Sequence, residues 1–98
     1  MAIFQYLDIS TAHVTEEDMA KLDAGAGTSG FPVTVYPYTH GAFIPTPPNE
    51  KDLMPNLRKA GMSDSFCKIV QHVISNKIHM IRLDCDADTM DDFPTFDW

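Results

Sequence analysis

Six aspartates stand in the last fifteen residues, Asp84 to Trp98, among two phenylalanines, a proline and a tryptophan, with no lysine or arginine. Carboxylates at that density hold a hard cation, act as general acids and bases, or present a negative field to a basic partner. Asp84, Asp86 and Asp88 take positions 1, 3 and 5 of a calcium loop. Position 6, however, is Thr89 where glycine must turn the chain, and position 12 is Thr95 where a glutamate must close the shell. The spacing excludes an EF-hand. On a strand, Asp84 and Asp86 project to one side together with Arg82, so the local expectation is an Arg82–carboxylate pair rather than a magnesium site. No resident metal or cofactor is expected.

An enzyme of this size needs a nucleophile in register with its base. His13, His40, His72 and His79 sit in no HxH, HExxH or GxSxG pattern, and there is no glycine-rich phosphate loop. His13 with Asp8 is the best catalytic pair, because STAH (residues 10–13) marks the place where a strand gives way to a helix. A small metal-dependent or histidine/aspartate hydrolase is therefore one alternative, and a regulatory module with a small-molecule pocket is another. The structural reading of His13, a ring that hydrogen-bonds a turn, is the commoner use of such a residue. Cys67 and Cys85 form no CxxC motif, and both are expected to be reduced and buried.

The charge balance points to partners. Fourteen acids against seven bases give a net charge of −7, which disfavours direct nucleic-acid and anionic-membrane binding and favours a basic protein. Tyr36 and Tyr38 in YPYTHGAF could stack bases in an RNA-recognition sheet, but residues 31–48 contain no lysine or arginine to neutralise phosphate. No apolar run reaches 18 residues, and MAIFQYLDIS has no signal-peptide pattern, so a cytoplasmic location is expected.

These residues must be positioned by elements, and the elements are legible from periodicity. IFQYLDIS (3–10) reads as a strand. Thr15 with Asp18 reads as a capping box for a helix over 16–24, with Glu16, Glu17 and Asp18 in its first turn and Gly25 as its stop. FPVTVYPYTH followed by AFIP gives a hairpin near 32–38 and 42–46, with Pro37 placing its first strand at an edge or a bulge. Residues 52–59 allow only a turn of helix because of Pro55. Ser63 caps a long amphipathic helix carrying Phe66, Ile69, Val70, Val73 and Ile74, and IHMIRLDCD (78–86) is the last strand. In that strand Leu83 and Cys85 are expected to face the core, and Asp84 and Asp86 solvent. The order β-α-β-β-α-β predicts an α+β two-layer sandwich over residues 1–98, ferredoxin-like, with two helices on one face of an antiparallel four-stranded sheet.

YLDISTAHVTEEDMAKLD (6–23) and IRLDCDADTMDDFPTFDW (81–98) resemble an uncharacterised family of small domains encoded on bacterial phages, plasmids and integrative elements. The resemblance implies a mobile-element setting, in which small acidic proteins commonly inhibit host defence, anti-CRISPR proteins among them. Together with the charge, it leads to the expectation of a non-enzymatic inhibitor that occupies a basic nucleic-acid-binding surface of a host defence protein such as a CRISPR effector complex. The expected contacts are Asp84, Asp86, Asp88, Asp91, Asp92 and Trp98, with Glu16, Glu17 and Asp18 as a second acidic cluster.

Overall fold

The computed structural model describes residues 2–98. The elements follow the chain as β1 (Tyr6–Ser10), a 3₁₀ turn (Thr11–His13), α1 (Glu16–Gly25), β2 (Tyr36–Tyr38), β3 (Gly41–Pro45), α2 (Leu53–Lys59), α3 (Asp64–Ser75) and β4 (Met80–Asp84). The α+β class is as the periodicity predicts. A third helix, α2, joins the two expected: Pro55 is its third residue and lies in the first turn, where no intrahelical donor is needed, so the seven-residue helix accommodates it.

Across the sheet the strands run β1-β4-β3-β2. β4 is antiparallel to β3 but parallel to β1, with Tyr6 opposite Met80 and Ser10 opposite Asp84. The sheet is therefore mixed, which corrects the expectation of a purely antiparallel one. The reason is non-local: the path through α2 and α3 returns β4 to the middle of the sheet, where it has a neighbour on each side and buries Ile81 and Leu83. Parallel pairing requires a long crossover of this kind, which strand periodicity does not reveal. Pro37 lies in edge strand β2, as its missing donor requires.

One hydrophobic cluster takes Ile9, Ala42, Ile44, Ile81 and Leu83 from the sheet, Leu22 from α1, Leu53 and Leu57 from α2, Phe66, Ile69, Val70 and Val73 from α3, and Phe93 from the C-terminal tail. The alternate residues, including Asp8, Arg82, Phe43 and Tyr38, lie on the opposite face of the sheet by register.

Two helix starts are tied together by one buried carboxylate. Thr15 Oγ1 accepts from the Asp18 N–H and Asp18 Oδ2 accepts from the Thr15 N–H, both at 3.0 Å, which is the capping box of α1. Asp18 Oδ1 also accepts from the Ser63 N–H at 2.9 Å and Oδ2 from the Ser63 hydroxyl, while Ser63 caps α3 through the Phe66 N–H. At the far end of α3 the chain reverses through Asn76 and Lys77, the latter at φ 56°, and the Ile78 N–H closes on the Val73 carbonyl.

Candidate functional site, an acidic and aromatic concavity closed by the C-terminal tail

The tail is fastened to the first third of the chain. His13 is fully buried, and its Nε2 accepts from the Met90 N–H at 2.8 Å. An amide N–H can only donate, so the ring proton sits on Nδ1, which donates to the Pro94 carbonyl at 2.8 Å. Phe93 lies between two imidazoles, edge-on to His13 (centroids 5.7 Å apart) and to His72 (5.4 Å). Further along, the Phe96 N–H donates to the Ala12 carbonyl at 2.7 Å and Trp98 Nε1 to the Val14 carbonyl at 2.9 Å. The segment has no regular secondary structure, yet bonds from Met90 to Trp98 fix its course.

This course brings together acids that are about 80 residues apart in sequence. Glu16, Glu17, Phe96, Asp97 and Trp98 line a concavity of about 510 Å³ at the start of α1. Trp98 and Phe96 remain exposed there, at 53% and 37%, although the indole N–H of Trp98 is anchored. An indole held by one edge with its face open to solvent is a ready contact surface. The two joined segments, residues 6–23 and 84–98, hold five and six acids against a single base, Lys21, whose ammonium donates to the Gly61 carbonyl.

The expected contact residues divide by environment. Glu16, Glu17, Asp86, Asp88, Asp91, Asp92 and Trp98 are exposed. Asp18 is buried between two helix caps. Asp84, expected to point into solvent, is 4% exposed and belongs to a network on the outer sheet face. The Tyr38 hydroxyl donates to Asp84 Oδ2 at 2.5 Å, Arg82 Nη2 donates to the same oxygen at 2.8 Å, and the Asp86 N–H donates to Oδ1 at 2.8 Å. The Tyr38 bond first, then the Asp86 N–H, hold the Asp84 carboxyl below the usual carboxylate range. Partial burial and then the bond to Asp84 push the Tyr38 phenol up, and Arg82 is pushed up chiefly by its bond to Tyr38. The expected Arg82–carboxylate pair is present; Arg82 also reaches Asp8 at 3.5 Å.

His13 and Asp8, the catalytic alternative, serve different neighbours. Both His13 nitrogens are bonded to tail backbone, which leaves neither for proton abstraction, while Asp8 faces Arg82 on the sheet. Cys67 is buried, and burial pushes its thiol up. Cys85, expected in the core, is instead exposed: β4 ends at Asp84, so the strand alternation stops one residue short of it.

The chain belongs to a family of unknown function, the DUF5983 C-terminal domain, whose model matches residues 6–98 and so covers the hairpin and helices as well as the two ends. No curated protein and no solved structure matches it at a significant level. Among the described residues no helix is long and apolar enough to cross a membrane.

Proposed function

We propose that this DUF5983 C-terminal domain is a non-enzymatic binding protein that docks its tail-closed acidic concavity on a basic, nucleic-acid-binding surface of a host protein and so inhibits it. The observation that carries this reading is the union of Glu16 and Glu17 with Asp97 around the exposed, anchored Trp98. Clustered carboxylates on a rigid frame accelerate encounter with a basic groove, and a desolvating aromatic at their centre supplies the short-range contact. The resemblance to domains of phages and plasmids supports a defence protein, such as a CRISPR effector, as the target class.

The test uses the triple variant Glu16→Lys, Glu17→Lys, Asp97→Lys and, separately, Trp98→Ala. Proteins retained from a bacterial host lysate by the wild-type chain are identified, and the binding of the purified partner is followed at low and high salt by isothermal titration calorimetry, which reads the Trp98→Ala variant as it reads wild type. The expected result is a basic partner whose affinity falls steeply with salt, is lost in the triple variant and is weakened by Trp98→Ala. A partner that the triple variant retains with unchanged affinity overturns the proposal.

A further inference from the structure

A second group of side chains, none of which lines the concavity, lies where the β2–β3 hairpin turn meets the end of β4. His40 Nδ1 stands 3.9 Å from Cys85 Sγ and 3.8 Å from Asp86 Oδ2, and the three ligand-type atoms all lie within 4.8 Å of one another. Tetrahedral zinc with bonds of about 2.3 Å to sulfur and about 2.0–2.2 Å to nitrogen and oxygen separates its ligand atoms by roughly 3.4–3.6 Å. The two separations from His40 exceed that by a few tenths of an ångström, and the cluster as a whole spans no more than 4.8 Å, so rotations of the exposed Cys85 and Asp86 side chains would draw the ligands in.

The backbone beneath these atoms is fixed before any cation arrives. The Cys85 N–H donates to the His40 carbonyl at 2.9 Å, which joins the two ligand-bearing segments directly. Gly41 permits that approach: a Cβ there would lie 1.8 Å from the Leu83 carbonyl oxygen, so any side chain would force the hairpin turn off the end of β4. Asp84 accepts from the Asp86 N–H and is itself held by Tyr38 and Arg82, so the turn that presents Asp86 is anchored to the sheet. Arg82, the cation beside this hollow, is already paired with Asp84 and Asp8 and does not oppose a second positive charge at full strength.

We propose that His40 Nδ1, Cys85 Sγ and Asp86 Oδ2 form a three-ligand site for a divalent cation of zinc type. A thiolate and an imidazole select zinc over the hard cations that the carboxylate-rich tail first suggests, since magnesium and calcium take oxygen ligands alone. Binding releases the Cys85 thiol proton to solvent and leaves a fourth tetrahedral position for water. His40 and Cys85 also border a cleft of about 460 Å³ that Trp98 and Tyr38 help to line, so the ion stands at the rim of a space large enough for a small ligand. The site shares none of its ligands with the concavity of the proposed function.

The test is zinc retention by the purified 98-residue chain after equilibrium dialysis, with calcium and magnesium as comparison ions. Cobalt(II) substitution adds a spectroscopic readout of the thiolate bond. One zinc per chain is expected, with a thiolate-to-cobalt charge-transfer band that is absent in Cys85→Ser. Cys85→Ser and His40→Ala each weaken zinc by at least about 100-fold, the upper end of what removing an outer-shell partner alone costs. Glu50→Gln, at an exposed carboxylate outside both sites, leaves retention unchanged. His40 and Cys85 are exposed, so the variants keep the wild-type far-ultraviolet circular dichroism. No zinc retained, no charge-transfer band, or equal retention in Cys85→Ser and wild type would each overturn the site.

Discussion

Two histidines meet the C-terminal third of the chain in opposite ways. His13 is sealed from solvent, and both of its nitrogens close on tail backbone, one as donor and one as acceptor. His40 is exposed on a hairpin turn, with Nδ1 facing a thiol and a carboxylate at 3.8–3.9 Å, farther than a good hydrogen bond. A ring whose bonding capacity is filled by main chain is a fastener, whatever its motif suggests. A ring that faces two other ligand-type atoms across a gap still has chemistry to do.

The largest expected effect comes from removing the fastener. His13→Ala leaves the Met90 N–H and the Pro94 carbonyl without partners and opens a cavity beside Phe93, and should lower the unfolding free energy by about 3–5 kcal/mol. Urea denaturation measures the loss, and Trp98 fluorescence reports whether the tail detaches before the core melts. A loss below about 1 kcal/mol would show that the tail holds without the ring and would erase the contrast. At the other corner, Gly41→Ala should cost about 2 kcal/mol, because the clash is with backbone and not with a movable side chain. It should also abolish zinc retention; a variant that binds zinc like wild type means the ligand geometry does not depend on the hairpin's close approach.

The smallest effect sharpens the division between buried and exposed carboxylates. The carboxyl of Asp84 is held below its ordinary value, so its stabilisation is fully present above the unfolded value of about 3.9 and is lost as pH falls through the lower folded value. Melting temperatures measured from pH 5 down to pH 2 should therefore fall more steeply for wild type than for Asp84→Asn below about pH 4, and the two curves should converge. Parallel curves would remove Asp84 from the acid-sensitive network.

What the sequence reveals and what it hides divide along the distance between interacting residues. The capping box of Thr15 and Asp18, the Ser63 cap, the amphipathic face of α3 and the edge position of Pro37 are local, and each stands where its pattern puts it. The parallel pairing of β1 with β4 is hidden, because alternation fixes which face a residue takes and says nothing of its neighbour. The second role of Asp18 is hidden too, since Ser63 lies 45 residues away. In the sequence His13 offers either a structural turn or a catalytic partner for Asp8; its bonds to Met90 and Pro94, 77 and 81 residues further on, make it a fastener of the tail that closes the concavity. His40 carries no motif at all, and its link to Cys85 depends on a glycine whose necessity appears only once β4 is in place.

The pairing of Tyr6 with Met80 has a consequence in time as well as in space. On a ribosome, the hairpin of β2 and β3 and the long helix α3 can form as soon as they emerge, since their contacts are close in sequence. Strand β1 must wait for β4, some 74 residues later, and the tail that locks onto Ala12, His13 and Val14 is made after β4. Closing so long a loop is entropically slow, so completion of the sheet is the late step of folding. The first strand of this domain is thus among the last parts of its sheet to become structured.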